Sequence, residues 1–178
     1  MPTTHPLLLS PAPSQCSLEM LTHHYGDVYE HSPWVAEAAW QHGLTDAHDA
    51  PDALAELMGL MLQQASSEQQ IKVIQAHPDL AGKAAMTGEL TQDSTSEQAG
   101  AGLDQCSPEE FARFEYLNTA YKEKFGFPFV IAVKGLDRHD ILAAFEERLN
   151  NDPATERKTA IEQIIRIARF RLRARAEQ

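Results

Sequence analysis

The feature that most constrains the fold of this chain is its single run of residues with strand composition. The segment from Phe127 to Val133 is short and apolar, which is typical of a buried strand. No second strand-like run is evident, so this segment lacks a neighbouring strand to satisfy its backbone hydrogen bonds. We therefore interpret residues 127–133 as an extended, buried connector in an otherwise all-α chain. Its N–H and C=O groups then either bind a polar ligand or are satisfied by neighbouring loops and water, and the residues favour neither alternative.

Helix-start signals and apolar residues at helical spacing account for most of the remaining chain. Ser107-Pro108-Glu109-Glu110 combines a capping serine, a proline at the first helical position and a glutamate three residues after the cap. Further helices are predicted to begin at Ser17, at Ser32-Pro33, at Asp52, after Ser66-Ser67 and at Asp152-Pro153. We predict a flexible N-terminal tail over residues 1–15 and a single-domain helical bundle over residues 16–178.

Composition and charge exclude several classes of protein. A chain of 178 residues with 43% hydrophobic and 23% charged residues fits one globular domain. Its longest apolar run is far too short to span a membrane, and a net charge of -11 disfavours nucleic-acid binding. Cys16 and Cys106 have neither metal-ligand spacing nor a disulfide pattern. We expect a reduced, cytoplasmic protein that binds neither nucleic acid nor a membrane.

His77 is the first candidate for chemistry. It follows a predicted helix and precedes Pro78, which disfavours helical geometry at the histidine, so the imidazole is expected at a rigid helix end. Histidine gains and loses a proton near neutral pH, which suits it to general acid or base catalysis. The alternative is a structural histidine that interacts with the last carbonyl groups of the helix.

Glu97 is the second candidate. Ser94 and Glu97 also have the spacing of a capping box, which is the structural alternative to a catalytic glutamate. The histidines His23, His24 and His31 do not match a known metal-binding pattern, and neither a dinucleotide fingerprint nor a nucleophile elbow is present. We therefore predict no metal and no organic cofactor.

Four segments form an ordered set of motifs along the chain: residues 29–37, 77–85, 90–104 and 117–135. Together they resemble the motifs of the 2-oxo-4-hydroxy-4-carboxy-5-ureidoimidazoline (OHCU) decarboxylases, the family that completes the route from urate to (S)-allantoin. The resemblance implies an all-α fold, usually dimeric, that needs neither a metal nor an organic cofactor. It also implies a small anionic ureidoimidazoline substrate that loses CO2. Because the chain ends Ala176-Glu177-Gln178 and not in a peroxisomal tripeptide, the cytoplasm is the expected compartment.

The resemblance also implies roles for individual residues. His77 would be the general acid, with Pro78 beside it in contact with the substrate, and Glu97 would hold a substrate hydroxyl or ring N–H. The remaining substrate-binding residues would be Ser94, Gln98, Phe129, Val130, Ile131, Ala132, Val133 and Arg171. Arg169 is close enough in sequence to be the alternative to Arg171.

Two other functions compete with the decarboxylase interpretation. One is a metal-free hydrolase of ureide or purine breakdown that uses His77 and Glu97 as acid and base. The other is a helical binding module without activity, which the intact set of His77, Ser94, Glu97 and Gln98 disfavours.

Overall fold

Helices form the protein throughout the part that the structure describes. The computed structural model describes residues 6–82 and 87–177, which contain eight α-helices and no strand, so the all-α prediction is confirmed. The helices are α1 Leu18–Tyr25, α2 Trp34–His42, α3 Pro51–Gln63, α4 Ser67–Gln75, α5 Gln92–Gly100, α6 Pro108–Phe125, α7 Arg138–Arg148 and α8 Pro153–Ala176. None of these helices combines the length and the apolarity that crossing a membrane requires.

Most predicted helix starts are confirmed. The Ser107 hydroxyl accepts a hydrogen bond from the Glu110 N–H at 3.1 Å, and the Glu110 carboxylate accepts from the Ser107 N–H at 2.9 Å. This reciprocal capping box satisfies backbone donors that the first turn of α6 would otherwise leave unpaired. At α2 the prediction is wrong in detail. The N-cap is Pro33, and the hydroxyl of Ser32 donates to the Glu30 carbonyl instead of capping the helix.

The predicted tail falls partly on residues 1–5, which lie outside the described residues. Further along, Leu9 is buried and donates its N–H to the Asp49 carbonyl at 2.8 Å. Ser14 donates both its N–H and its hydroxyl to the Asp49 carboxylate. These contacts attach the described end of the chain to the turn before α3, and a domain boundary at residue 16 stays a prediction.

The chain divides into two compact units, of which the first contains Met1–Val73 and Ile165–Gln178. Its core includes Leu21 of α1, Val35 of α2 and Leu54 of α3, all fully buried. Gly59 lies where α3 meets α8 within this unit, since a Cβ atom at Gly59 would come within 2.9 Å of Ile165 Cγ2. Glycine thus permits a close approach that a larger residue would prevent.

The second unit, Ile74–Ile164, contains the connector. The helical spacing of apolar residues predicts one buried stripe on α6, formed by Phe111, Phe114, Leu117, Tyr121 and Phe125. The last four are buried, and Phe111 is only partly buried. The Phe129 ring of the connector stacks on the Phe145 ring of α7 with 3.9 Å between centroids. The apolar side chains therefore hold residues 127–133 inside the unit without a neighbouring strand, as the sequence predicts.

Candidate active site

His77 is the second residue after the end of α4 and is 7% exposed. Its backbone N–H donates to the Ile74 carbonyl at 3.1 Å, which closes the last turn. Pro78 then directs the chain away from the helix axis, because the residue before a proline disfavours helical geometry. The predicted location of His77 at a helix end is confirmed, and its catalytic role stays a prediction.

The loop that follows His77 is held by the side chain of Gln98. The amide oxygen of Gln98 accepts from the Ala81 N–H at 3.0 Å, and its amide nitrogen donates to the Asp79 carbonyl at 3.3 Å. Ala81 has a φ of +52°, in the left-handed region that residues other than glycine rarely adopt. The bond to Gln98 helps to compensate for this unfavourable backbone conformation.

Helix α6 holds the same loop from a second direction. Asn118 is buried and donates its amide to the Leu80 carbonyl at 3.0 Å. One turn later, the Lys122 ammonium pairs with the Asp79 carboxylate at 2.6 Å. Neither Asn118 nor Lys122 was among the predicted site residues. A polar residue at position 118, beside the buried Leu117, was the available signal.

The positions of Ser94 and Glu97 contradict the capping-box interpretation. The N-cap of α5 is Thr91, whose side chain accepts from the Ser94 N–H at 3.2 Å, so Ser94 and Glu97 both lie inside the helix. Spacings of three and four residues place Ser94, Glu97 and Gln98 on one helix face. Ser94 and Gln98 are buried, and Glu97 is partly buried. Because Gln98 binds the loop after His77, this face of α5 is the one that contacts the loop.

Side chains from two helices bind the backbone of the connector. Arg148 at the end of α7 donates from Nη1 to the Val130 carbonyl at 2.7 Å. The amide oxygen of Gln163 in α8 accepts from the Ala132 N–H at 3.0 Å. Part of the polar backbone of the connector is thus satisfied by protein side chains, which the sequence could not show. Arg148 and Gln163 are the residues it missed.

Arg171 belongs to the first unit and is almost fully buried. Its Nη2 donates to Glu30 Oε1 at 2.8 Å, and its Nη1 lies 3.4 Å from the Val28 carbonyl oxygen. The negative charge of the Glu30 carboxylate therefore compensates the positive charge of the Arg171 guanidinium. Arg169 has a buried Nε that makes no hydrogen bond within the described part of the chain. Which arginine binds substrate stays a prediction.

The described residues do not group three or more His, Cys, Asp or Glu side chains in an arrangement that could hold a metal ion. Both cysteines are free thiols. Burial raises the pKa of the Cys16 and Cys106 thiols above the ordinary value, so neither is activated as a thiolate nucleophile at neutral pH.

Comparison with known proteins decides the family. The family model described as OHCU decarboxylase matches residues 14–173, which is most of the chain. The chain belongs to the OHCU decarboxylase family.

Individual relatives agree with the family model. The chain is 38% identical to the 2-oxo-4-hydroxy-4-carboxy-5-ureidoimidazoline decarboxylase of Halalkalicoccus jeotgali, over 89% of this chain and 86% of that protein. It is 40% identical to the enzyme of the same name from Haloferax volcanii, over 85% of this chain and 86% of that one. It is also similar to the crystal structure of an (S)-allantoin synthase, with a TM-score of 0.71 and 29% identity. That match covers 92% of this chain and 52% of the larger solved chain.

Proposed function

We propose that this protein decarboxylates 2-oxo-4-hydroxy-4-carboxy-5-ureidoimidazoline to (S)-allantoin and CO2 in urate degradation. One observation supports the proposal above the others. The buried His77 begins a loop that the side chain of Gln98 binds. Ser94 and Glu97 lie on the same face of α5 as Gln98. This arrangement supports a site in which an imidazole, a carboxylate and neutral hydrogen-bonding groups act on one substrate.

The reaction needs an electron acceptor and a proton. When the bond between the ring carbon and the carboxylate breaks, CO2 leaves and its bonding electron pair stays on the ring. The conjugated imine and carbonyl groups of the substrate can accept this pair, so the proposal includes neither a metal nor an organic cofactor. The imine nitrogen takes up one proton and the neighbouring carbon C5 takes up a second on one face. The 4-hydroxyl releases one proton as it becomes the C4 carbonyl, which completes the product. The protein must orient the substrate, stabilise the developing oxyanion and deliver the proton to one face of C5.

In the proposed mechanism His77 delivers that proton and thereby sets the (S) configuration. A positioned general acid contributes roughly 10²–10⁴-fold to the rate. Glu97 holds the substrate hydroxyl or ring N–H and polarises the substrate toward loss of the carboxylate. Hydrogen-bond donors aimed at the developing charge add several kcal/mol in a site that excludes water.

The remaining family residues would bind the substrate. The loop would contribute Pro78, and α5 would contribute Ser94 and Gln98. The connector would contribute Phe129, Val130, Ile131, Ala132 and Val133. The substrate is anionic and the net charge of the protein is -11, so long-range attraction cannot assist binding. Since salt screens charges beyond about 8 Å, a local cation must supply the attraction. We propose Arg171 for this role, with Arg169 as the alternative because Glu30 already compensates part of the charge of Arg171.

Two further parts of the proposal concern the cell and the assembly. We propose a cytoplasmic location, which the free state of both cysteines supports because disulfides are rare in reducing compartments. We also propose a homodimer, on the basis of the family resemblance. Light scattering of the purified protein would test the oligomeric state.

The decisive experiment adds purified protein to freshly generated urate-oxidation products and follows (S)-allantoin by circular dichroism. We expect optical activity with the wild type and none above background with His77→Asn, which should still bind allantoin. His42→Asn is a suitable control because His42 is exposed on α2 and plays no part in the proposed site.

The outcomes separate the alternatives. A wild-type rate in His77→Asn would remove His77 from the mechanism. Release of ammonia without CO2 from the same substrate would identify a hydrolase. A wild type that binds allantoin without turning over substrate would identify a binding module.

A further inference from the structure

We infer that Arg148, Glu156 and Gln163 are positioning residues of the active site. They hold one backbone edge of the connector and so direct the opposite edge, at Ile131, toward the substrate. This inference rests on the proposed function, because it assumes that residues 129–133 contact the ureidoimidazoline.

Arg148 provides the first attachment point. Its Nη1 donates to the Val130 carbonyl at 2.7 Å, a short bond of the kind that a charged donor makes. The guanidinium also lies over the Phe129 ring, 4.4 Å from the centroid. One side chain therefore fixes both a backbone carbonyl and an aromatic ring of the connector.

Glu156 fixes Arg148 in turn. Its carboxylate is fully buried and accepts from Arg148 Nε at 2.9 Å. The Tyr121 hydroxyl donates to the same carboxylate oxygen at 2.8 Å. Burial raises the pKa of Tyr121 far above the ordinary value, so the phenol remains a donor. The guanidinium is thereby held in one orientation, because rotation would separate buried charges.

Gln163 provides the second attachment point through its bond from the Ala132 N–H at 3.0 Å. Gln163 follows Glu156 by seven residues on α8, which is close to two helical turns, so both side chains share one face. A single helix thus determines the position of the connector at Val130, through Arg148, and at Ala132 directly.

The spacing of these two attachment points determines which groups remain for a ligand. In an extended chain, alternate residues direct their N–H and C=O groups to opposite edges. The Val130 carbonyl and the Ala132 N–H lie on the edge that the side chains hold, so both polar groups of Ile131 lie on the other edge. Within residues 6–82 and 87–177, neither backbone group of Ile131 makes a hydrogen bond. Ile131 is also the least buried of residues 129–133.

The test compares substitutions that remove or keep each attachment. Gln163→Met removes the acceptor for the Ala132 N–H, and we expect kcat/KM to fall about tenfold, mainly through KM, with weaker (S)-allantoin binding in calorimetry. Gln163→Glu keeps an acceptor oxygen and should recover activity to within about threefold of the wild type. Gln70→Met is the matched control, since Gln70 binds the Leu62 and Gln63 carbonyls in the first unit and should not affect catalysis.

A second substitution tests the other attachment independently. Arg148→Lys keeps the positive charge beside Glu156 but loses the planar fork that reaches Val130 as well, so kcat/KM should again fall about tenfold. Arg113→Lys is its control, because Arg113 also pairs with a glutamate, Glu146, but on the surface. If Gln163→Met does not fold, this pair decides the question.

Failure of the inference differs from failure of the proposed function. An active wild type with unchanged KM and allantoin affinity in both Gln163→Met and Arg148→Lys would overturn the inference alone. An inactive wild type would overturn the function. If such a protein still binds allantoin, equal affinities in the wild type and both variants would overturn the inference as well.

Discussion

Glu156 and Glu146 offer a direct comparison of a buried ion pair with an exposed one. Glu156 lies 2.9 Å from Arg148, and Glu146 lies 2.7 Å from Arg113, so the charges are separated by similar distances. The side chains of the first pair are 0% and 11% exposed, whereas those of the second are 50% and 46% exposed. Replacing either glutamate by glutamine removes one negative charge with little change in shape.

The expected costs differ because water compensates only the exposed pair. Glu156→Gln leaves the Arg148 guanidinium buried without a counter-charge, which should cost about 3–5 kcal/mol of unfolding free energy. Glu146→Gln should cost about 0–1 kcal/mol, since the exposed Arg113 is rehydrated. For a chain of this size each kcal/mol shifts the melting temperature by about 2–4 °C, so the buried variant should melt roughly 6–20 °C lower.

Urea unfolding followed by circular dichroism measures both costs, with the slope m used to check that the unfolded states are comparable. Equal losses in the two variants would refute the argument from burial. The double variant Arg148→Met with Glu156→Leu should regain part of the lost stability, because no buried charge is left without a counter-charge. The recovery should be incomplete, since the Val130 carbonyl and the Tyr121 hydroxyl lose their partners. The activity of the double variant should stay low if Arg148 also positions the connector, which separates the stabilising role from the positioning role.

Three further predictions follow from other parts of the structure. Arg171→Lys should raise KM at least tenfold in steady-state kinetics, because a lysine cannot reproduce a bidentate guanidinium contact with the substrate. Arg169→Lys should raise KM by less than about threefold. The opposite order would assign substrate binding to Arg169. Gly59→Ala should lower the unfolding free energy by about 1 kcal/mol, because overpacking against Ile165 outweighs the better helix propensity of alanine. In an Ile165→Ala background the same change should become stabilising. Hydrogen bonds from backbone N–H groups in the first turn of α8 hold the pKa of Asp152 below its ordinary value. The Asp152 carboxylate therefore stabilises the fold above about pH 4, and this effect is lost as the pH falls through the lowered pKa. The unfolding free energy of Asp152→Asn should therefore fall less on acidification than that of the wild type. Urea unfolding at neutral and acid pH measures the difference.

Features that depend on neighbouring residues were predictable from the sequence. The helix start at Ser107, the end of α4 before His77 and the buried stripe on α6 each depend on interactions within one or two helical turns. The all-α class followed from the same kind of reasoning, since a single apolar run at residues 127–133 had no neighbouring strand to pair with. Such local signals determine where elements begin and end because backbone capping and helical spacing act over about four residues.

Competing local signals could not be resolved in this way. Both Thr91 and Ser94 are suitable helix caps by residue type, and the structure places the cap at Thr91. That choice moves Ser94 into the helix and puts it on the same face as Gln98, which binds the loop after His77. With the cap at Thr91, this face of α5 packs against the loop. The capping pattern in the sequence does not show that packing.

The amino-acid order by itself determined the helical class, the strand-like connector and the location of His77 at a helix end. Only the tertiary structure decided which side chains hold the loop and the connector: Gln98, Asn118, Arg148 and Gln163. These residues lie 17, 38, 18 and 31 positions from the backbone groups they bind. Bonds across such separations depend on how helices pack, and packing is decided by apolar surfaces distributed over the whole unit, so it cannot be inferred from any one segment.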